Sequence, residues 1–385
     1  MAQRYYSNYG GYTPRSKQQR NPVMTFLDGV LTLLSVVVAV LLLVALIVPA
    51  IRPEYTWALP MLGLIAPVLY LTVVGLALYW VMRWRLLRAV AMSLLVVVGL
   101  FSISLYWRPE ARREALQRKY DTKFSYPRSA ISLLSYNVRY LYSDSGNSSA
   151  DSLAAWLDTL RADVICLQEV NGALATRSAR LSAVLESYNE AKFGLEEGAA
   201  RELRILTRHK IINSGVVLKP SSSVWADMVV REDTIRVINN HLQSTGITVF
   251  DSDYLTGHAY LMDTAREVKL RSIASRFSDN CVLRAAQVDT IRAHIDTLGP
   301  SLKVVCGDFN DTPLSYTYRR MARGLRDAFS EHGEGYSYTF RGFFNALRID
   351  YVLSSKEIEV LSYETPEVNL SDHRPVLVRL QKRKL

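Results

Sequence analysis

The chain has 385 residues, a formal net charge of +10 and a hydrophobic content of 49%. This length allows two or three domains, or one large domain with an appendage. The charge is uneven, because residues 1–119 hold 13 Lys and Arg against 4 Asp and Glu, whereas residues 120–385 hold 33 against 32. The larger part is therefore near neutral and lacks the broad basic surface of a dedicated nucleic-acid-binding protein.

The first 107 residues have the composition of a membrane anchor. Residues 1–25 are rich in Tyr, Gly, Asn, Gln and Arg, which is typical of a disordered tail. Three apolar runs follow at 26–51, 57–82 and 89–107, and each is about as long as the roughly 20 residues that a spanning helix needs. Buried core helices are a poor alternative because the runs show no amphipathic pattern. We therefore predict three transmembrane helices and association with a lipid bilayer.

The charges of the connections predict the orientation of these helices. The tail carries Arg4, Arg15, Lys17 and Arg20 without an acid, and the second connection carries Arg83, Arg85 and Arg88, whereas the first connection is nearly neutral. Positive residues favour the cytoplasmic side. This places the N-terminus in the cytoplasm and residues 130–385 outside it, in a multi-pass protein of the cell membrane. The basic linker at 108–129 argues against this orientation.

From about residue 130, short apolar runs alternate with helical periodicity, which indicates an α/β fold. Strands are predicted at 131–138, 163–170, 204–212, 224–230, 234–242, 302–308, 348–355 and 374–380, and helices at 151–161, 174–187, 283–298 and 315–323. Residues 243–282 are mixed in polarity, which favours a functional loop. Its side chains Phe250, Tyr254, Tyr260 and Leu261 suit a lid or a membrane contact.

Several predicted strands end in polar residues. In CGDFNDTP, residues 306–313, Gly, Asp, Asn and Pro suit a strand-terminating turn. However, Asp308 and Asn310 alternate, so an extended chain points both side chains to the same face. Such a pair also suits a hard metal ion or a phosphate. The polar residues at the other strand ends are Asn137, Glu169, His241, Asp350, Asp372 and His373.

Each of these residues also has a purely structural explanation. Asn137 suits a turn, Glu169 suits a paired carboxylate at a sheet edge, and His241 suits a hydrogen-bonded core histidine. Asp350 is harder to explain, because an ionised carboxylate in an apolar strand is costly without a partner. Strand ends meet at one edge of a sheet, so the whole series favours a shared active site.

The ordered series Asn137, Glu169, His241, Asp308-x-Asn310, Asp350 and Asp372-His373 resembles the endonuclease/exonuclease/phosphatase superfamily. Its members include pancreatic deoxyribonuclease, apurinic endonucleases, neutral sphingomyelinases and inositol polyphosphate phosphatases. The resemblance covers about residues 131–380, and its most specific segments are GDFN and SDHRPV. It implies a four-layer α/β sandwich of two packed β-sheets with helices outside and the site at one end of the sheets.

The resemblance also implies a role for each residue. Glu169 is implied as the principal Mg²⁺ ligand, with Asn137 and Asp372 nearby, and Mn²⁺ is an alternative ion. Asp308 and Asn310 are implied to hold the attacking water and the scissile phosphate. His373, paired with Asp350, is implied as general base or charge stabiliser, and His241 as a second histidine that binds the opposite side of the phosphate. Glu202 is a candidate acid partner for His241.

The sequence therefore predicts a membrane-anchored, Mg²⁺-dependent phosphoesterase with a tail (1–25), three spans (26–107), a linker (108–129) and a catalytic domain (130–385). Hydrolysis of an anionic phosphodiester needs neutralised oxygens and an oriented water, which a hard cation and positioned side chains supply. The three cysteines suit neither a disulfide scaffold nor a zinc site. The substrate stays open: the neutral charge disfavours a nuclease, and the tether favours a lipid or small phosphoester. A non-catalytic binding protein is the other class.

Overall fold

The computed structural model describes residues 21–56, 58–109, 126–143, 145–193, 202–218, 222–247, 251, 254, 265–297, 299–342 and 345–383. The predicted tail lies outside the described residues except for 21–25. Most of the predicted linker and the candidate lid residues Phe250, Tyr260 and Leu261 also lie outside them.

Three long apolar helices open the described chain: α1 (Pro22–Ile47), α2 (Leu59–Met82) and α3 (Leu86–Ile103). Helix α1 begins where the Asn21 side chain accepts a hydrogen bond from the Val23 amide, with Pro22 in the first helical position. All three are long and apolar enough to cross a membrane. This agrees with the three predicted spans.

The three helices pack on one another as a bundle with two chemically different ends. At one end Asp28 of α1 accepts hydrogen bonds from Tyr79 of α2 and forms 3.0 Å ion pairs with Arg83 and Arg85 in the α2–α3 connection. The neighbouring Trp80 of α2 donates to Ser35 of α1. The opposite end of the bundle comprises the C-terminal ends of α1 and α3 and the first turns of α2.

The rest of the described chain alternates strands with shorter helices. The strands are β1 (Trp107–Arg108), β2 (Ile131–Asn137), β3 (Val164–Val170), β4 (Asn189–Phe193), β5 (Glu202–Thr207), β6 (Lys210–Leu218), β7 (Ser223–Val230), β8 (Asp233–His241), β9 (Leu302–Asp308), β10 (Arg326–Asp327), β11 (Gly335–Tyr336), β12 (Asp350–Ser354), β13 (Ile358–Glu364) and β14 (Val376–Lys382). The helices are α4 (Ala150–Leu160), α5 (Gly172–Arg177), α6 (Ala179–Glu186), α7 (Arg266–Thr297), α8 (Tyr316–Met321) and α9 (Ala328–His332).

The strands form two six-stranded mixed sheets and a small β1–β11 ribbon. One large sheet has the order β13-β14-β2-β3-β5-β4, and the other has the order β10-β12-β9-β8-β7-β6. Their inner faces share a buried core that includes Leu133, Val237 and Val304. Helices α4 to α6 pack on the outer face of the first sheet, and α7 and α8 pack on that of the second. The four-layer α/β sandwich predicted from the sequence is confirmed.

Strand direction brings the polar strand ends to one edge. Strands β2 and β3 are parallel, as are β8 and β9, so each pair ends on the same side of its sheet. Strand β12 runs antiparallel to β9 and β14 antiparallel to β2, so both begin where their neighbours end. The sequence therefore delivers its polar residues to one end of the sandwich.

The structure corrects several predicted elements. The strand predicted at 204–212 is two strands, because Thr207 Oγ1 accepts a hydrogen bond from the His209 amide and the chain turns there. The helix predicted at 174–187 is divided at Ser178, which caps the second part. The C-terminal part of the predicted loop 243–282 is wrong, because α7 begins at Arg266 and buries a stripe that starts at Ile273. Strands β1, β4, β10, β11 and β13 and helix α9 were not predicted.

Candidate active site

Strand pairing centres the candidate site on Asp308. In the register of the second sheet Asp308 lies directly opposite both His241 of β8 and Asp350 of β12. Directly paired residues point to the same face of a sheet, so these three side chains share one row. Gly307 makes the close pairing possible: it has φ 120°, and a Cβ there would lie 2.0 Å from the Asn240 carbonyl oxygen.

Amide groups of Asn137, at the end of β2, and of Asn310, just beyond β9, hydrogen-bond the buried Asp308 carboxylate. Its Oδ2 accepts hydrogen bonds from Asn137 Nδ2 at 3.0 Å and from Asn310 Nδ2 at 3.2 Å, and its Oδ1 accepts from the Asn310 backbone amide. Asn310 has φ 52° and also donates to the Leu242 carbonyl oxygen. Asn137 belongs to the first sheet, so this cluster joins the two sheets at their common end.

Two histidines flank the same carboxylate oxygen. His241 Nε2 lies 3.9 Å from Asp308 Oδ2 and 3.2 Å from Glu169 Oε1. His373 Nε2 lies 3.8 Å from Asp308 Oδ2, while its Nδ1 lies 2.9 Å from Asp350 Oδ2. The buried carboxylate of Asp350 therefore has the partner that its position in an apolar strand required.

The pKa values of Asp308 and His373 are both raised, for different reasons. Burial, reinforced by the Asp350 carboxylate, raises the pKa of Asp308 to about 6. Burial lowers the pKa of His373, but Asp350 and then Asp308 outweigh it, and this pKa rises to about 10. An imidazole beside a buried carboxylate favours its protonated form. The two carboxylates therefore favour the protonated form of His373.

The donor atoms at this end suit a hard divalent cation. Donor atoms of Asp308, Asp350 and His373 lie within 4.8 Å of one another, and Asp350 Oδ1 is buried without a hydrogen-bond partner among the described residues. The Glu169 carboxylate lies at an irregularity between β3 and β5, where its φ is 53°. Carboxylate and amide oxygens are the ligands that Mg²⁺ and Mn²⁺ prefer. The carboxylates of Glu169, Asp308 and Asp350 are therefore of the donor type that such an ion prefers.

Asp372 and Glu202 have partners that the sequence did not suggest. Asp372 Oδ2 lies 3.5 Å from Arg139 Nε, and the Asp372 side chain is about one-quarter exposed. Glu202, the candidate acid for His241, instead accepts hydrogen bonds from Arg204. Among the described residues, the acids Glu169 and Asp308 lie near His241 Nε2.

A strained turn directs Arg139 to this edge. Arg139, Tyr140 and Leu141 have φ values of 43°, 55° and 65°, a left-handed conformation that costs L-residues roughly 1–2 kcal/mol each. The fully buried Leu141 side chain and the hydrogen bond from the Arg139 amide to Asn137 Oδ1 hold the turn. Sequence analysis missed Arg139, because nothing in YNVRYLY signals a left-handed turn.

Arg284 is a second residue that sequence analysis missed. Its guanidinium is fully buried and contacts Asp311 Oδ2 at 3.4 Å and the Gln243 carbonyl oxygen at 3.0 Å. Tyr351 also donates to the Asp311 carbonyl oxygen. These contacts hold the residue that follows Asn310. The available signal was an arginine on the buried stripe of α7, where an unpaired charge is costly.

The chain is similar to known proteins in sequence and in fold. The model of the endonuclease/exonuclease/phosphatase family matches residues 134–373, and a domain of unknown function matches residues 28–106. The chain is similar to an endonuclease/exonuclease/phosphatase from Bacteroides vulgatus, with 22% identity and a TM-score of 0.48 over 66% of this chain and 99% of that one. It is also similar to a mannosyl-6-phosphatase of Bacteroides thetaiotaomicron (17%, 0.47, 65% and 99%) and to D. rerio TDP2 complexed with a single-strand DNA product (16%, 0.48, 66% and 100%).

No curated protein matches the chain. The matched segment spans more than half of the sequence and contains every candidate site residue from Asn137 to His373. The chain belongs to the endonuclease/exonuclease/phosphatase family.

Proposed function

We propose that this protein is a membrane-tethered, divalent-metal-dependent phosphoesterase that hydrolyses a phosphodiester by in-line attack of water. One observation carries the proposal: Asn137, Asn310, His241 and His373 all lie within 4 Å of a single oxygen of Asp308. Amide donors and imidazoles that converge on one point are suited to orient water and an anionic phosphate.

The chain's own residues have distinct roles in this proposal. Asp308 and Asn310 hold the attacking water and a phosphate oxygen. His373, oriented by Asp350, stabilises negative charge or moves a proton on one side of phosphorus, and His241 assists on the other side. A divalent ion held by Glu169, with Asn137 and Asp372 nearby, supplies positive charge to the phosphate oxygens.

The bundle supports the membrane part of the proposal. Arg83 and Arg85 bind Asp28 at one end of the bundle, whereas Gly63 and Tyr106 contact the catalytic fold at the other. Positive residues favour the cytoplasmic face, so this arrangement supports an extracytoplasmic catalytic domain. We also propose the division into a tail (1–25), three spans (26–107), a linker (108–129) and a catalytic domain (130–385).

The substrate class we favour is a phosphoester at the membrane surface. Residues 120–385 are nearly neutral, and a nuclease usually needs a basic footprint. In addition, the chain that follows Asn310 contacts the bundle within two residues, at Thr312. A nucleic acid is the alternative substrate within the same activity.

The test uses the full chain in nanodiscs with a panel of substrates: a chromogenic phosphodiester, phospholipids, sphingomyelin, and single- and double-stranded DNA. We expect hydrolysis that EDTA abolishes and that Mg²⁺ or Mn²⁺ restores. Asp308→Asn is the inactive comparison, and His332→Ala, on the exposed surface, is the matched control. Full activity in a metal-stripped sample, or no hydrolysis of any substrate with metal present, would refute the proposal.

A further inference from the structure

The segment that contains Asn310 is seated on the membrane bundle. We call Phe309–Ser315 the catalytic loop. Within it, the Thr312 hydroxyl donates to the Gly63 carbonyl oxygen at 3.4 Å, and the Leu314 amide donates to the Tyr106 hydroxyl at 3.3 Å. The buried Leu314 side chain packs in the same hydrophobic cluster as residues of all three bundle helices. The loop therefore has one end in the active site and the other in the bundle.

Gly63 allows the closest of these contacts. A Cβ at this position would lie 2.2 Å from the Leu314 carbonyl oxygen, which is backbone and has no flexible side chain to move aside. Gly75, in the same helix, has nothing within 4 Å of the corresponding point. The close contact with the catalytic loop therefore requires a glycine at position 63 but not at position 75.

The loop is also fixed on the side of the active site. Arg284 and Tyr351 hold Asp311, and the next residue, Thr312, contacts the bundle. Two residues of chain span at most about 7 Å. A displacement of Thr312 is therefore expected to move Asn310 as well.

Other contacts dock the catalytic fold on the same end of the bundle. Arg52, just after α1, forms a 3.1 Å ion pair with Asp289 of α7. The fully buried Arg348 donates to the Leu105 carbonyl oxygen, and the Ser337 amide donates to the Tyr106 carbonyl oxygen. The bundle and the catalytic fold therefore meet over several elements and not only at a tether.

We propose that the membrane bundle is a positioning element of the active site, in which Gly63 and Tyr106 set the conformation of the catalytic loop and so the placement of Asn310 and Asp308. The proposal rests on the proposed function. It differs from a simple anchoring role, because an anchor would leave turnover unchanged when only its packing against the loop is altered.

The test compares Gly63→Ala with Gly75→Ala in the full chain in nanodiscs. We expect Gly63→Ala to increase hydrogen–deuterium exchange in peptides covering 309–315 and to lower kcat on a soluble chromogenic phosphodiester by about tenfold or more, since a displacement of about 1 Å can cost roughly 10²-fold. Gly75→Ala should change neither quantity.

Tyr106→Phe provides a second variant that keeps the shape of the side chain if Gly63→Ala does not fold. Its control is Tyr79→Phe, which removes a hydroxyl hydrogen bond at the opposite end of the bundle. Unchanged exchange in 309–315 in the Gly63 and Tyr106 variants, or increased exchange with unchanged kcat, would overturn the proposal. If the wild-type protein hydrolyses nothing, the proposed function fails, and exchange alone then decides whether the bundle supports the loop.

Discussion

The pair formed by His373 and Asp350 gives the sharpest test of the proposed chemistry. Their side chains are 7% and 2% exposed, and His373 Nδ1 lies 2.9 Å from Asp350 Oδ2. Water therefore cannot readily replace either partner. Asp350 is also the carboxylate that contributes most to raising the pKa of His373, so its charge and its position both act on the ring.

We expect His373→Ala to lower kcat by about 10²-fold to 10⁴-fold, the usual cost of losing a general acid or base. Asp350→Asn should lower kcat by on the order of 10²-fold. This substitution keeps the side-chain volume but removes the negative charge that orients the His373 ring and favours its protonated form. If the two residues act as one unit, the double variant should be only a few-fold worse than His373→Ala, since such losses are not additive.

The assay is steady-state hydrolysis of a chromogenic phosphodiester with saturating Mg²⁺, with thermal unfolding of each variant measured in parallel. His332→Ala serves as the control, because this histidine is exposed and lies outside the cluster. Multiplicative losses in the double variant, or an active and well-folded His373→Ala, would refute the pairing and leave His373 as a structural residue.

Three further predictions follow from other parts of the molecule. A reporter that is active only outside the cytoplasm should be active when fused after Leu385, and activity of a cytoplasm-only reporter there would refute the orientation. Glu169→Gln should weaken Mn²⁺ binding, measured by electron paramagnetic resonance, by at least about tenfold, and unchanged affinity would exclude it as a ligand. Burial, with Arg236 and Lys303 nearby, lowers the pKa of His294 from 6.5. As the pH falls, the unfolded chain therefore binds a proton at this histidine before the folded chain does. The free energy of unfolding should fall as the pH drops below about 6.5. This fall should be smaller in His294→Gln, and an identical pH dependence of Tm would contradict it.

Strand polarity explains why several of the predicted residues lie close together. Apolar runs that end in Asn137, His241 and Asp308 can only place those side chains at strand ends, and parallel pairing then brings the ends together. The cost of an ionised carboxylate in an apolar strand predicted that Asp350 needs a partner, and the structure supplies His373. The metal ligands and the catalytic roles stay predictions.

Asn310 reaches its position by a different route from the one that the alternating pattern suggested. Strand β9 ends at Asp308, and Asn310 lies beyond it in a left-handed conformation, which Asn tolerates better than most residues. Its side chain still faces Asp308 because the turn, and not the pleat, folds it back. The motif therefore predicted that the two side chains face the same way, but it did not predict the backbone geometry that brings them together.

Helix α7 is longer than the helix predicted from the sequence, although its apolar periodicity extends over most of its length. Buried residues Ile273, Phe277, Cys281, Ala285 and Val288 recur every three or four positions, which is a helical stripe. The stripe begins before 283, but its many charged neighbours concealed it in the sequence. The length of α7 matters because it carries Arg284 to the catalytic loop.

The seating of the catalytic loop on the bundle could not be read from the sequence, and the reason is physical. In the sequence TPLS (312–315), Leu314 looks like any leucine that follows a turn. Gly63 looks like any small residue in an apolar helix. Their importance shows only in their contact, which joins residues 251 positions apart in the chain. Gly63 leaves α2 close enough to the loop for backbone contact, and Leu314 then fills the end of the bundle. A family likeness confined to residues 134–373 contains the loop but not its support, so the influence of the bundle on catalysis has to be sought in the full chain.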